Sequence, residues 1–197
     1  MARYVTHIRL LCFIAVIGIT GLHAHGFERY NHVTKYDIYF SKYSKRYFGP
    51  NFDWRYFKAQ AIAESNLREN IRSYAGAEGI MQIMPKTFEE IKRKNPSIKG
   101  NRRQPRWSIS AGIYYDRQIW KLWKAERPFQ DRIGFMFGSY NAGKGNILKA
   151  QRISKNKGLD PNLWESIEMT LPQVTRKRSE ETIGYVERIS HIKGVLK

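Results

Sequence analysis

Glu64 is an acidic residue at a position where the surrounding sequence predicts burial. A helical pattern starts near Asp53, which can cap the helix, and apolar residues recur along one face of it. These apolar residues are Trp54, Phe57, Ala61 and Ile62. Glu64 follows Phe57 by seven residues, so it projects from nearly the same face. Burial would raise the pKa of its carboxyl group toward neutrality, which makes Glu64 a candidate general acid.

The alternative is that Glu64 ends the helix and points into solvent, as most helical glutamates do. The residues after it predict a tight loop, because Ser65 and Asn66 compete with helical hydrogen bonding and residues 73–79 contain two glycines. Such a loop would place the acid beside irregular backbone. This arrangement favours a site over an ordinary exposed glutamate.

An apolar run over residues 80–84 follows the loop, and a further helix is predicted from Thr87. We expect a small β region over residues 77–84. Strand-like alternation would send Met81 and Ile83 into the core, and Gln82 and Met84 to the opposite face.

Further helices position these segments. A helix is predicted over residues 34–47, and another is opened by Ser108 or Ser110 and contains Gly112, where a neighbour can pack closely. A later helix runs from Asp131 and delivers Tyr140 to its end before Gly143. The remaining helical segments are predicted near residues 146–153, 161–167 and 180–192. The chain is therefore expected to be predominantly α-helical.

Three segments of the chain resemble one family in order and distance. The first comprises Glu64-Ser65, Ser73, Gly76-Ala77, Gly79, Met81-Gln82, Met84-Pro85 and Thr87. The second is Ser139-Tyr140-Asn141-Ala142-Gly143, and the third is Glu181-Thr182 with Tyr185-Val186. They are similar to the motifs of lytic transglycosylases with the soluble lytic transglycosylase (SLT) catalytic domain, glycoside hydrolase family 23. Within that family, residues 160–172 are most similar to the membrane-bound lytic transglycosylase F group.

The resemblance implies an α+β, predominantly α-helical fold of the lysozyme-like type, shared with goose-type lysozymes, with a small β region. It also implies that Glu64 is the catalytic acid and base. Ser73 and Tyr140 would orient Glu64 or the reacting sugar by hydrogen bonds. The residues expected to bind the glycan are Gln82, Met84, Asn141 and Tyr185. For each of these polar residues except Glu64, a hydrogen bond that merely holds two helices together is the alternative.

The activity implied by the resemblance is cleavage of the bond between N-acetylmuramic acid and N-acetylglucosamine in peptidoglycan, leaving a 1,6-anhydromuramyl end. One carboxyl group then suffices, because a group of the substrate itself closes the ring. Glu69 and Glu78 are loop residues that we expect to be solvated. A hydrolytic goose-type-like lysozyme and an inactive basic wall-binding or membrane-binding protein are the alternatives.

Residues 1–24 resemble a secretory signal peptide, and an uncleaved N-terminal anchor is the alternative. Residues 25–50 are expected to form a helical extension packed on the catalytic domain of residues 51–197. We expect export to the periplasm or cell envelope. The single cysteine lies in the leader, so disulfides and a thiol nucleophile are not expected in the exported chain.

The net charge of the 197 residues is +18, which favours polyanionic partners. We expect peptidoglycan glycan strands as the main partner, anionic envelope polymers or lipids as further ones, and a secretion, conjugation or phage apparatus as a candidate setting. Nucleic acid would compete for the basic surface, but no recognition motif accompanies the charge. The scattered histidines lack metal-ligand spacing, so neither a metal nor another cofactor is expected. The chain is expected to be a monomer.

Overall fold

The computed structural model describes residues 24–197. The expected leader therefore lies outside the described residues, apart from its last position. Within the described part of the chain, no helix is both long enough and apolar enough to cross a membrane.

Helices account for most of the described chain. After a short N-terminal helix and a 3-10 turn, the long helices are separated by brief connections and by one longer loop over residues 66–84. The helices are α1 (Ala24–Phe27), a 3-10 helix (Glu28–His32), α2 (Asp37–Phe48), α3 (Arg55–Ser65), α4 (Pro85–Lys94), α5 (Pro105–Leu122), α6 (Phe129–Ala142), α7 (Lys144–Asn156), α8 (Trp164–Thr175) and α9 (Arg178–Val195).

The helix predictions differ from the structure mainly at the ends of the helices. The predicted segment near residues 161–167 becomes helical only at Trp164, because Asp160 Oδ1 accepts a hydrogen bond from Asn162 N and forms a turn first. The helix predicted from Ser108 or Ser110 begins earlier, at Pro105, whose fixed φ suits the first helical turn. Gly143 ends α6, as predicted.

The expected β region over residues 77–84 is reduced to two isolated antiparallel bridges, Arg72 with Glu78 and Glu78 with Ile83. The chain turns between these bridges, with positive φ angles of 77° at Gly79 and 43° at Gln82, so no continuous strand forms there. The two faces are nevertheless as predicted. Met81 and Ile83 are buried, whereas Gln82 is only half-buried.

The core lies between α3, α5, α6 and α9, with α2 packed against α5 and α3. Phe57 and Ile62 of α3 are fully buried in it, and burying each such side chain contributes roughly 1.5–3 kcal/mol. Gly112 of α5 lets the loop approach, since a Cβ there would lie 2.6 Å from Met81 Cε. The expected close packing at Gly112 is thus present, and it seats the loop after Glu64 directly on α5.

The N-terminal segment contributes to the same core. Phe40 and Tyr43 of α2 are buried within it. The buried Lys58 of α3 reaches back to Asp37, with 2.9 Å between its Nζ and Asp37 Oδ1. The position of α3 therefore depends on α2 as well as on the helices that follow.

Asp53 stabilises the start of α3, although the N-cap residue of this helix is Trp54. Its Oδ1 accepts a hydrogen bond from Arg55 N at 3.0 Å, and its Oδ2 lies 2.8 Å from Arg55 Nη2 and 3.3 Å from Lys193 Nζ of α9. Partial burial alone would raise the pKa of Asp53, but the hydrogen bonds from Arg55 and Lys193 outweigh burial and lower this pKa to about 2. The carboxylate thus joins the beginning of α3 to the end of α9.

We expect Asp53→Asn to lower the free energy of unfolding by about 1 kcal/mol at pH 7, a value reduced for solvent screening. The folded-state pKa of Asp53 lies below its ordinary value of 3.8, so the stabilisation exists above pH 3.8 and disappears as the pH falls toward 2. Urea unfolding of both proteins across this pH range measures the effect. Glu90→Gln, which breaks the exposed pair between Glu90 and Lys94, is the matched control and should leave the free energy of unfolding nearly unchanged.

Candidate active site

Glu64 lies in the last turn of α3, immediately before the helix stops. Asn66 ends the helix in a left-handed conformation with φ of 54°, and Leu67 follows with φ of 60°. Asparagine tolerates this conformation, whereas leucine adopts it at a cost that its surroundings must outweigh. Leu67 is buried, so core packing holds it there. The abrupt turn leaves Glu64 half-buried at the end of α3 instead of within a continuing helix.

Ser65 joins the end of α3 to the loop that follows. Its Oγ lies 2.8 Å from Ile80 O and 3.1 Å from Ala61 O, so its hydroxyl hydrogen is donated to these carbonyl groups. Ser65 itself is buried. The distance between the Glu64 backbone and the loop is therefore set by a buried hydrogen bond.

Tyr185 of α9 makes the direct contact with the acid. Its hydroxyl group donates a hydrogen bond to Glu64 Oε1 at 2.6 Å, across 121 positions of sequence. Burial raises the pKa of Tyr185 well above its ordinary 10, and the charge of Glu64 adds to this effect. Tyr185 therefore remains a hydrogen-bond donor throughout the range in which Glu64 titrates.

Tyr140 lies beside Glu64 and Tyr185, but its hydroxyl group donates its hydrogen bond to the loop. Its hydroxyl group bonds to Met81 O at 2.7 Å and so anchors the loop to the end of α6. Burial raises the pKa of Tyr140 well above 10, with further contributions from the negative charges of Glu64 and Asp116. The structure thus gathers two neutral tyrosines around one carboxyl group.

The pKa of Glu64 is raised from 4.5 to about 7. Burial is the main cause, because it penalises the ionised form. The hydrogen bond from Tyr185 opposes burial by stabilising the carboxylate, and the negative charge of Glu181 acts in the same direction as burial. At neutral pH the Glu64 population therefore contains both the acid and its conjugate base, as a group that first gives and then takes a proton requires.

The other residues predicted for the site mostly hold the loop. Ser73 Oγ accepts a hydrogen bond from Ala77 N at 3.0 Å, and Gln82 Nε2 donates to Gly79 O at 2.9 Å. Asn141 Oδ1 accepts from Thr182 Oγ1 of α9 at 2.7 Å. Met84, in contrast, is 41% exposed. Of this group, Met84 is the side chain most open to a ligand.

Comparison with known proteins identifies the family. The model of the Transglycosylase SLT domain matches residues 39–162. The chain belongs to this family. The match covers α2 to α7 and includes Glu64, the loop and Tyr140.

The similar curated proteins are much longer than this chain. A membrane-bound lytic murein transglycosylase F from Vibrio vulnificus is 31% identical over 81% of the chain and 30% of its own length. The corresponding protein from Mannheimia succiniciproducens is 34% identical over 71% of the chain and 28% of its own length. The chain therefore spans less than a third of these relatives.

Solved lytic transglycosylase structures share the fold at low sequence identity. The 70 kDa soluble lytic transglycosylase from Escherichia coli is 21% identical, with a TM-score of 0.60 over 82% of this chain and 24% of its own. An inactive mutant of the lytic transglycosylase Slt from Pseudomonas aeruginosa is also 21% identical, with a TM-score of 0.63 over 81% of this chain and 23% of its own. The predicted predominantly helical, lysozyme-like lytic transglycosylase fold is confirmed.

One of the two expectations about other carboxylates of the SLT domain was wrong. Glu78 is only 5% exposed, and its carboxylate lies 2.9 Å from both Arg102 Nε and Arg103 Nη2. Glu69 pairs with Lys35 at 2.9 Å and accepts a hydrogen bond from Tyr36. Glu69 thus forms its ion pair at the surface, with 36% of its side chain exposed, whereas Glu78 is not solvated. Their cationic partners come from distant segments, so the loop sequence alone did not reveal them.

A buried polar pair next to Glu64 was not predicted from the sequence. Gln60 and Asp116 are both fully buried, and they contact each other between α3 and α5. One feature of the sequence indicates that Asp116 is buried: it lies three residues from both Ile113 and Ile119 on an otherwise apolar helix face. No group of three or more potential metal-ligating side chains occurs within residues 24–197.

We expect Tyr185→Phe to raise the pKa of Glu64 above 7, because it removes the hydrogen bond that stabilises the carboxylate. The free energy of ionising Glu64 should rise by roughly 1–2 kcal/mol. NMR titration of glutamate carboxyl carbons measures this change. Tyr140→Phe is the matched control, since that hydroxyl group bonds to Met81 O; an equal pKa shift in both variants would contradict the assignment.

We expect Glu64→Gln to stabilise the fold at pH 8 by roughly 2 kcal/mol. The folded-state pKa of Glu64 is raised, so the wild-type protein loses stability as the pH rises from 4.5 toward 7, and the penalty is constant above that range. Near pH 4 the two proteins should unfold alike. Thermal or urea unfolding against pH tests this, with the exposed Glu126→Gln as control. Equal stability of Glu64→Gln and wild type at pH 8 would refute the raised pKa.

Proposed function

We propose that the chain is a peptidoglycan lytic transglycosylase that cleaves the MurNAc-(β1,4)-GlcNAc bond without water and leaves 1,6-anhydroMurNAc ends. The observation that carries this proposal is one titratable carboxyl group, Glu64, with a pKa of about 7 and a hydrogen bond from Tyr185. Family membership supports the reaction class. Support also comes from the Pseudomonas aeruginosa structure, described as an inactive mutant in which a glutamate is replaced by glutamine.

The first step is protonation of the leaving group. Protonated Glu64 gives its proton to the glycosidic oxygen, and the bond from this oxygen to the muramyl C1 breaks. Positive charge then develops on the muramyl ring. Glu64 is now a carboxylate, and the hydrogen bond from Tyr185 stabilises its new charge.

The second step returns the proton. The muramyl C6 hydroxyl attacks C1, and its hydrogen passes to Glu64, which restores the acid. The reaction consumes no water and requires no second catalytic carboxylate, so one residue serves as acid and base in turn. A pKa near neutrality suits both roles, because it makes neither proton transfer strongly unfavourable.

The remaining predicted residues support this chemistry in two ways. Ser73, Gln82 and Tyr140 would shape the loop beside the acid through the hydrogen bonds that they make to its backbone. Met84 and Asn141 would contact the glycan, Met84 through its exposed side chain. We propose these roles for the glycan-bound protein.

Hydrolysis of the same bond is the second candidate, and one observation favours it. Glu181 is exposed on α9 and lies close enough to Glu64 to raise its pKa. An exposed carboxylate near the acid could activate a water molecule, as in hydrolytic glycosidases with two carboxyl groups. The product distinguishes the two reactions.

The location and partners follow from the relatives and the charge. The relatives are named membrane-bound, and we propose that this chain acts in the cell envelope after export. Its net charge of +18 would hold it on anionic wall polymers or lipid headgroups, with an attraction that weakens as salt increases. We also propose that the chain opens the wall for a secretion, conjugation or phage apparatus.

Mass spectrometry of muropeptides released from purified peptidoglycan tests the reaction. We expect the full chain to release 1,6-anhydromuramyl products and Glu64→Gln to be slower by at least ~10²-fold. Glu126→Gln is the matched control and should retain wild-type activity. Reducing muramyl ends that disappear in Glu181→Gln would establish the hydrolytic candidate instead. Binding without any cleavage would identify an inactive wall-binding protein.

A further inference from the structure

A fully buried polar contact lies directly behind the candidate acid. Gln60 of α3 and Asp116 of α5 both have no exposed surface, and Gln60 Nε2 donates a hydrogen bond to Asp116 Oδ1 at 3.3 Å. The other two polar atoms of this pair, Asp116 Oδ2 and Gln60 Oε1, are buried without a hydrogen-bond partner. Both are acceptors if Asp116 is ionised. Two unsatisfied acceptors in one buried contact require an explanation.

A protonated Asp116 removes both deficits at once. A proton on Asp116 Oδ2 would supply the donor that Gln60 Oε1 lacks, while Gln60 Nε2 donates to Asp116 Oδ1. The carboxylic acid and the amide would then form a closed pair with two hydrogen bonds that satisfies all four polar atoms. A carboxylate would instead need a buried cation, and among residues 24–197 Asp116 forms no ion pair within 4 Å.

We propose that Asp116 is a positioning residue that stays protonated at neutral pH and forms two hydrogen bonds with Gln60, which fix the helical turn carrying Glu64 without placing a second negative charge beside it. Gln60 lies one helical turn before Glu64, so the contact acts on the same stretch of α3. The catalytic part of this inference rests on the proposed function.

The ionisable groups around Asp116 agree with a neutral side chain. Burial is the main cause that raises the pKa of Asp116 well above 3.8; the hydrogen bond from Gln60 opposes it and the charge of Glu64 adds to it. The other titratable groups that interact with Asp116 are tyrosines with raised pKa values: Tyr115 on α5, Tyr140 on α6 and Tyr185 on α9. None of these tyrosines supplies a positive charge. A charged Asp116 would also raise the pKa of Glu64 further and reduce the amount of conjugate base available at pH 7.

The protonation state can be measured without any activity assay. In the full chain with labelled aspartate carboxyl carbons, the NMR signal lost in Asp116→Asn identifies Asp116. We expect the wild-type signal to have the shift of a protonated acid at pH 7 and to remain unchanged down to pH 4. A signal that reports a carboxylate at pH 7 would overturn the proposal, whether or not the protein cleaves peptidoglycan.

Two substitutions test the positioning role. Asp116→Asn keeps both hydrogen bonds, because its amide group can donate to Gln60 Oε1. Asp116→Leu removes both and keeps the branched shape of the side chain, although its methyl groups are larger than the oxygen atoms they replace. We expect Asp116→Asn to keep the wild-type pH profile of muropeptide release with at most a ~2-fold change in kcat, and Asp116→Leu to lose ~10-fold or more in kcat with little change in KM. The melting temperature should fall only in Asp116→Leu.

Two further outcomes would overturn the inference. A shift of the Asp116→Asn pH profile toward lower pH would show that the substitution removed a negative charge next to Glu64. Wild-type kcat in a folded Asp116→Leu would show that the contact does not position the acid. If Asp116→Leu does not fold, Gln60→Leu tests the same contact from α3, and wild-type kcat there counts equally against it. If the wild-type protein releases no muropeptides, the proposed function fails, while the NMR titration still decides the protonation of Asp116.

Discussion

The burial of the Glu64 carboxyl group against the hydroxyl of Tyr185 is the interaction on which the site depends. Burial raises the pKa of Glu64, and the hydrogen bond from Tyr185 limits this rise to about 7. A pKa near 7 needs both effects. Burial without the hydrogen bond would keep Glu64 protonated at neutral pH, whereas a solvated position would keep it ionised. The balance requires the last turn of α3 and the middle of α9 to meet within hydrogen-bond distance, and the packing of the surrounding helices provides this.

The loop after α3 depends on the same meeting of helices. Ser65 binds the loop at Ile80, and Tyr140 binds it at Met81. Gly79 is required there, because its φ of 77° is unfavourable for other residues and a Cβ would lie 2.0 Å from Arg102 O. Glu78 then neutralises part of the positive charge of the neighbouring arginines. The irregular backbone beside the acid is thus held by buried hydrogen bonds and an ion-pair cluster instead of a sheet.

Local pattern predicted the helices and an inward-facing Glu64, which is half-buried in the structure, because both depend on residues within two turns of each other. It also predicted the opposite faces of Met81 and Gln82. It could not predict the bond from Tyr185 to Glu64, which depends on how α9 packs, nor the burial of Glu78, whose partners lie at positions 102 and 103. The prediction of a small β region was wrong for a related reason. Gly79 and Gln82 adopt positive φ angles, which bend the chain within the predicted strand. Tertiary contacts decided each of these points.

The strong positive charge of the chain raises a question about its acid. A net charge of +18 should favour the ionised form of any carboxyl group and lower its pKa. This effect is screened over ~8 Å at physiological salt, whereas burial acts at contact distance and is not screened. Within residues 24–197, neither Glu64 nor Asp116 forms an ion pair, although cations bind Asp37, Asp53 and Glu78. The fold therefore pairs its buried cations with Asp37 and Glu78 and keeps them away from Glu64, so that this carboxyl group can hold a proton at neutral pH.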